Sequence, residues 1–568
     1  MTPRSEPSLR DDFAPWLRRL GRRRWRLGAG ALLMALTVAA GIGLLALSGW
    51  FITATAVTGV LLAAGAAATL DVYVPGAGIR LFAVTRTVAR YCERLYNHDS
   101  VLRVLAELRA GMFSVLTRLD GRTLSQLRAS EWLNRLTADI DTLDGLYLRL
   151  LAPPLVAALA IGGVGTLLGL FVPGIALAVV APLGALWLWL VFGQAWLGMA
   201  PARRRVASQD RLRGRVIEQL QGLSELRCYG TLASHRQALL EEQAALYADQ
   251  RRLAGRQALG SALANLVVGL CVVLALWLAA HAQADGRISG AVMVMMPLAI
   301  LALNEALGGL PQAFTQLGAT RAAARRLNEL ASRQGTLREP ATPIDAPAGT
   351  PTVVLDAVSV RYPGALVSAL DALTLRLEPG ERLAVLGASG AGKSTLGQLL
   401  VRQLDPTAGG LTYNGVDLRD MPLSALRARV GYLTQHSELF QASLADNLRL
   451  ADPDANEAAL WRVLDVVDLA DWARDLPEGL DTWVGESGRQ VSGGQARRIA
   501  LARVLLKAPE LVVLDEPFSG LDAATAERIA GRLDRWLAGR SVVFLAHATD
   551  GLPGVTQAIE LVAGRASE

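Results

Sequence analysis

Leu386-Gly-Ala-Ser-Gly-Ala-Gly-Lys-Ser-Thr395 is the stretch that decides how the C-terminal part of the chain is read. It sets Gly387, four residues, then Gly392, Lys393 and Ser394, which is the spacing of a phosphate-binding P-loop. Glycines at 387, 390 and 392 let the backbone turn so tightly that several N–H groups point at one phosphate. A helix starting at the end of the loop adds its positive end. Ser389 and Thr395 complete the polar lining; Lys393 can reach the β- and γ-phosphates, and the Ser394 hydroxyl can ligate Mg2+. The apolar run Arg382-Leu-Ala-Val-Leu386 just before the loop predicts a buried strand, so the strand–loop–helix setting is complete.

A chain of 568 residues is too long for one core, and two or more domains are expected. Over half of the residues are apolar and the mean hydropathy is positive, which points to a membrane protein. The apolar residues crowd into the first 310 positions, and the last 220 or so read as a soluble α/β domain. The net charge of +6 does not call for nucleic acid, because the arginines flank apolar runs and form no basic stripe with interleaved aromatics. Cys92, Cys228 and Cys271 are far apart and odd in number, so neither a disulfide framework nor a zinc site is expected, and all three read as buried thiols.

Residues 11–26 carry Trp16, Trp25 and six arginines, and predict a basic amphipathic helix on the membrane surface. The apolar stretch from Leu27 to about Ile52 is too long for the core of a signal peptide. Uncharged runs long enough to span lie at about 27–52, 152–171, 175–200, 258–280 and 288–303. Pro173-Gly174 breaks the charge-free stretch 150–202 into a hairpin of two spans. An Arg-rich N-terminus and an ATP-using C-terminus on one side require an even number of crossings. A long second span over about 77–118 supplies the sixth, with 53–76 as the outer end of the first span and its loop. The polar helical stretches 99–150 and 201–257 read as cytoplasmic extensions with tips near 121–131 and 221–232, and the Pro-, Ala- and Gly-rich segment 332–351 as a linker.

On that second span Arg86, Arg90, Arg94 and His98 follow one another at four-residue spacing, drifting by about 40° per step around a helix. At membrane depth such a stripe must line a cavity or find partners, which reads as a surface for an anionic substrate; at the cytoplasmic end it is merely solvated. Asn304 and Glu305 in the last span are further candidates for cavity lining.

From about Thr352 the pattern changes to short strands alternating with helices. Tyr362, at the end of a strand-like run, can stack on a base. Gln435 follows the strand Val430–Thr434 and can ligate Mg2+. Val491-Ser492-Gly493-Gly494-Gln495 opens a helix with a second glycine-rich start suited to phosphate. Leu511-Val-Val-Leu-Asp515-Glu516 is a buried strand ending in two acids, one to hold Mg2+ and one to polarise the attacking water. Asp522 lies just beyond, and His547 at the end of Val542–Leu545 can reach a γ-phosphate.

In this order the motifs resemble the ATPase of ABC transporters. The resemblance implies two such domains clamping two ATP molecules head to tail, the P-loop of one facing Ser492–Gln495 of the other. It makes Tyr362 the adenine-stacking residue, Gln435 the Q-loop, Asp515 the Walker B aspartate, Glu516 the catalytic base, Asp522 the D-loop and His547 the switch histidine. Val491 stands where the family usually has Leu, a conservative change. A six-helix, all-α membrane domain (residues 27–331, after the surface segment 1–26) ahead of one α/β P-loop domain (352–568) resembles the type IV exporter architecture.

Three stretches narrow the likeness: Leu47-Ser-Gly-Trp-Phe-Ile52, Ala89–Leu95 with Asn97-His-Asp99, and Asp141–Arg149. They resemble the CydC subunits of the bacterial CydDC heterodimers. That resemblance implies a CydD-like partner subunit, a place in the bacterial inner membrane with the ATPase in the cytoplasm, export of cysteine or glutathione, and a link to haem and cytochrome bd assembly. Arg86, Arg90, Arg94, His98 and Glu305 are then substrate-site candidates, with His98 an axial ligand of haem b and Arg94 the partner of a propionate. The rival readings are a haem transporter using the same site, a homodimeric lipid or drug exporter, and a haem-responsive regulator that moves no substrate. The six spans exclude a soluble ABC ATPase.

Overall fold

The computed structural model describes residues 8–125, 129–333, 335–345, 348–435, 438–485 and 491–567. The chain divides into two compact units, one made of the chain up to Arg118 with Ser125–Arg333, the other of Leu119–Leu124 with the chain from Gln334 onward.

The first unit is helical. A short helix α1 (Leu9–Gly21), with Asp12, Phe13 and Trp16 buried, precedes α2 (Arg24–Ala63) and α3 (Tyr73–Leu116). Four further long helices follow: α4 (Glu131–Phe171), α5 (Pro173–Gln221), α6 (Leu232–Ala284) and α7 (Gly290–Thr315), then α8 (Leu317–Ala331). Five of the six long helices from α2 to α7 are apolar enough to cross a membrane; α3 is the exception, because its arginines interrupt every apolar window. The 53–76 stretch divides at the end of α2: helix continues to Ala63, and residues 64–72 form the connection to α3. α7 is not one smooth rod. It turns at Ala302 and again at Gly308-Gly309, ahead of Pro311, isolating the short helical piece Leu303–Leu307.

Small residues let the helices cross closely. A Cβ on Gly198 of α5 would lie 2.2 Å from the carbonyl oxygen of Thr315, and one on Gly318 of α8 would lie 2.2 Å from that of Met199. Neither obstacle is a side chain that can swing away. Beside this crossing the buried Gln194 amide accepts a hydrogen bond from the Thr315 hydroxyl at 2.9 Å. Ion pairs pin the surrounding helices. Asp12 of α1 is buried against Arg321 of α8 at 2.6 Å, and Asn328 donates to the Asp12 carbonyl at 2.8 Å. Asp139 of α4, in a wide π-helical turn, receives Arg326 of α8 in a two-pronged pair with Nε at 2.8 Å.

The cysteines correct an expectation. Cys271 is buried in α6, but Cys92 and Cys228 are exposed. Cys92 lies beside Tyr91 and Leu95 on the outward side of α3, and Cys228 ends a short helix, Leu223–Cys228, at the turn between α5 and α6. The expected tip 121–131 lies partly outside the described residues; its first part, 119–124, goes with the second unit.

The second unit holds β1 (Val353–Val360), β2 (Leu370–Leu377), β3 (Arg382–Leu386), α9 (Lys393–Leu400), β4 (Ala408–Tyr413), β5 (Val416–Asp417) and β6 (Val430–Leu433). After them come α10 (Gly493–Lys507), β7 (Leu511–Asp515), α11 (Ala523–Trp536), β8 (Ser541–Ala546), β9 (Gln557–Val562) and β10 (Arg565–Ser567). One antiparallel sheet runs β2-β1-β4-β5 and a second sheet β10-β9-β3-β8-β7-β6. The second is parallel from β9 to β6, with Phe544 opposite Ala384 on one side and Leu514 on the other. Its side chains alternate between two cores: Leu511, Val513, Val543 and Leu545 enter one, and Val512, Leu514, Val542 and Phe544 the other. Burial on both faces is why these strands read as unbroken apolar runs.

Gly198→Val should lower the melting temperature and the folded yield of the detergent-solubilised protein, by about 1–3 kcal/mol of stability or more, since the clash is with backbone. Gly162→Ala, a site with open space around it, should leave both unchanged in the same thermal-shift assay.

Candidate functional site

β3 ends at Leu386 and α9 begins at Lys393, so the P-loop sits at the end of a central strand, where the sheet order reverses. Gly390 and Gly392 have φ of +82° and +110°, and a Cβ on Gly392 would meet the Ala369 carbonyl at 2.4 Å. The loop curls round Lys393, whose Nζ donates to the Gly387 and Ala388 carbonyls at 2.6 and 3.1 Å. Ser394 Oγ donates to Asp515 Oδ2 at 2.9 Å. Glu516 follows with a φ of +48°, and its N–H donates to the Leu545 carbonyl at 2.8 Å. This left-handed turn brings the Glu516 carboxylate to 3.0 Å from His547 Nε2.

A cavity of about 320 Å3 results, lined by Tyr362, Ser389, Gly390, Gly392, Lys393, Ser394, Thr395, Gln435, Asp515, Glu516 and His547. Gly387 shapes the loop from behind, against the Leu561 carbonyl. The Tyr362 hydroxyl is held by Thr395 at 3.2 Å and Gln398 at 3.3 Å. Burial pushes the Asp515 carboxyl above its ordinary value, and the Ser394 hydroxyl pulls it back. Ser394, Gln435 and Asp515 all line the cavity and carry side-chain oxygens, a donor set that suits Mg2+.

Ser492, Gly493, Gly494, Gln495 and Asp522 do not line this cavity. Ser492 and Gln495 form a reciprocal capping box at the start of α10: the Gln495 side chain accepts from Ser492 N at 2.8 Å, and Ser492 Oγ from Gln495 N at 3.2 Å. A Cβ on Gly494 would fall 3.1 Å from the Gly520 carbonyl, so the glycine-rich start of α10 abuts the turn that carries Asp522. Asp522 itself caps α11, accepting from Thr525 N at 2.9 Å.

Sequence reasoning missed Arg497. It is buried on α10 and donates to the carbonyls of Thr434 at 2.9 Å, Gln435 at 2.7 Å, Glu516 at 2.8–3.0 Å and Asp515. One guanidinium thus ties the backbone of two motif segments, Thr434–Gln435 and Asp515–Glu516, to α10. The signal available was an arginine two residues past Gln495, on the helix that starts there.

In the helical unit the Arg86–His98 stripe splits. Arg86 Nη2 reaches Glu305 Oε2 at 2.7 Å, and Arg90 pairs with Oε1 of the same carboxylate. Arg94 and His98 are exposed and, among the described residues, have no hydrogen-bond or ion-pair partner. Three steps of about 40° carry the stripe about 120° round α3, from the inward face to one with exposed Tyr91 and Leu95. The four residues are therefore not one surface, contrary to the expectation. No group of three or more His, Cys, Asp or Glu suited to a bare metal ion occurs among the described residues. A free imidazole one turn from a free guanidinium, beside apolar side chains, does fit a flat apolar ring with carboxylates.

Comparison with known proteins agrees with this geometry. Residues 31–307 match the ABC transporter transmembrane region and residues 370–519 the ABC transporter ATPase. The fold is that of a bacterial Atm1-family ABC exporter with ATP bound, at a TM-score of 0.80 and 21% identity, covering 96% of this chain and 95% of that one. The chain belongs to the ABC transporter family: it is a multi-pass membrane exporter subunit of type IV architecture that binds and hydrolyses ATP. It is 37% identical to the glutathione/L-cysteine transport system ATP-binding/permease protein CydC of Escherichia coli, over 98% of this chain and 96% of that protein. It is 31% identical to CydC of Haemophilus influenzae over 94% and 92%, and 27% identical to CydD of Bacillus subtilis over 87% and 86%. The resemblance to CydC is borne out by these relatives.

Arg497→Lys should lower ATP turnover at least tenfold with little change in ATP binding, because an ammonium with three donors cannot hold four carbonyls in a fixed fork. Steady-state ATPase assays beside nucleotide-binding titrations separate the two effects.

Proposed function

We propose that the chain is one subunit of a heterodimeric, ATP-driven exporter of the bacterial inner membrane, paired with a CydD-like subunit. It moves cysteine or glutathione to the periplasm in support of cytochrome bd assembly. The observation that carries this reading is the 37% identity to the E. coli glutathione/L-cysteine protein along almost the whole chain. The likeness to a CydD protein supports the partner, and the arginines ahead of α2 support a cytoplasmic N-terminus and ATPase domain.

In this reading Tyr362 stacks on adenine, and the P-loop N–H groups with Lys393 hold the phosphates. For Lys393 that means exchanging the Gly387 and Ala388 carbonyls for phosphate oxygens. Ser394, Asp515 and Gln435 would hold Mg2+, which when bound offsets charge on the β- and γ-phosphates. Glu516 takes the proton of the attacking water, and His547, at 3.0 Å from it, positions the carboxylate and meets the γ-phosphate. Ser492–Gln495 and Asp522, turned away from the chain's own cavity, complete the nucleotide site of the partner subunit. Closure of the ATPase pair on ATP and reopening after hydrolysis drive alternating access.

Inverted vesicles carrying the chain with its partner should take up labelled glutathione or cysteine on addition of ATP. Glu516→Gln should cut ATP turnover and uptake by about 10²-fold or more while leaving ATP binding in place. Absence of ATP-driven uptake of either thiol would refute export of thiols.

The free imidazole of His98 favours a second reading, in which the same membrane unit binds or carries haem, with His98 as axial ligand and Arg94 toward a propionate. His98→Ala should then abolish the Soret band of haem-loaded protein. An unchanged spectrum sinks this reading.

A further inference from the structure

The Arg86–Glu305–Arg90 cluster lies deep in the apolar layer. Gly41 is near the middle of the uncharged run Leu27–Ile52, and a Cβ there would touch Arg86 Nε at 3.4 Å and Glu305 Oε2 at 3.5 Å. Charges at that depth are costly and belong to a cavity or a ligand path. Two guanidiniums share one carboxylate, so one positive charge is left over. Among the described residues of the neighbouring helices none cancels it: α2 has no ionisable side chain from Leu27 to Ala63, α7 has only Glu305, and α4 has none from Ala152 to Phe171. One turn further along α3, the Glu93 carboxylate accepts from Asn97 at 2.7 Å, and among the described residues no hydrogen bond or ion pair joins it to Arg86 or Arg90. The donors are not exhausted either. Arg86 Nε has no acceptor, each arginine meets Glu305 through a single terminal nitrogen, and the three side chains keep 31%, 42% and 32% of their surface open.

We propose that this cluster is a charge-counting site. Glu305 sets the spacing of Arg86 and Arg90 and cancels one of their charges, and the site accepts a carboxylate-bearing ligand whose own net charge is −1. This rests on the thiol-export reading given above and narrows it. At neutral pH reduced glutathione has two carboxylates and one ammonium, net −1, whereas cysteine is a zwitterion of net zero. Glutathione neutralises the cluster and cysteine does not. Glu305 is thus a specificity residue that acts through the arginines, while Arg86 and Arg90 touch the ligand.

The test uses the full heterodimeric complex in lipid vesicles and reads the half-saturating concentrations of three probes for stimulation of ATP hydrolysis: cysteine (0), glutathione (−1) and N-acetylglutathione (−2). Wild type should prefer glutathione. Glu305→Gln leaves two uncancelled charges and should shift the glutathione to N-acetylglutathione ratio at least tenfold toward the dianion. That is roughly the effect of one unit charge about 5 Å away in a partly hydrated site. Arg90→Gln leaves none and should shift preference the other way, toward cysteine, and it serves as the second variant if Glu305→Gln does not assemble. Glu305→Asp should keep the wild-type order. Ratios that stay put in both charge variants, while glutathione still stimulates, overturn charge counting but leave thiol export standing. Failure of every probe to stimulate the wild type removes both.

Discussion

A parallel sheet covered on both faces has nowhere to put a polar side chain except beyond the ends of its strands. β3, β6, β7 and β8 are such strands, and each hands its chemistry over at its C-terminal end: the P-loop after Leu386, Gln435 after Leu433, Asp515 with Glu516, and His547 after Ala546. The parallel register lines those ends up along one edge. Once the strands align, the side chains converge on a common cavity. Arg497 adds the cross-tie, because the carbonyls left over where β6 and β7 end need donors and a single buried guanidinium supplies them.

The helical unit obeys the opposite constraint. Most of its long helices present apolar side chains all round, so charge must be hidden by pairing within the bundle. Arg86 thus meets Glu305 across 219 positions of sequence. Small residues allow these approaches: Gly41 makes room for Arg86, and Gly198 and Gly318 let α5 cross α7 and α8 at backbone contact.

Much of this was legible in the sequence, for physical reasons that can be named. Strands buried on both faces write continuous apolar runs, a phosphate loop writes its glycines at fixed spacing, and spans write long uncharged segments. α3 had to be inferred from the parity of crossings, because its charged residues hide it from any measure of apolarity. The stripe from Arg86 to His98 was visible as a spacing, but its division between an inner pair and an outer pair depends on accumulated helical drift and on Glu305, far away in the chain. Arg497 was invisible because its partners are backbone carbonyls, which no residue type announces. The exposure of Cys92 and Cys228 was equally hidden, since a thiol's habit of burial says nothing about which side of a given helix it occupies.

The start of α10 has a consequence for how a half-transporter lives before it is assembled. Ser492 and Gln495 satisfy one another's backbone donors, and the two glycines between them present N–H groups with no side chain in the way. Such a turn strands no polar group when it faces water and needs no remodelling to face an anion. In the pairing proposed above, a newly made chain could therefore wait alone with this turn already shaped, and joining a second subunit would be a matter of encounter rather than of refolding.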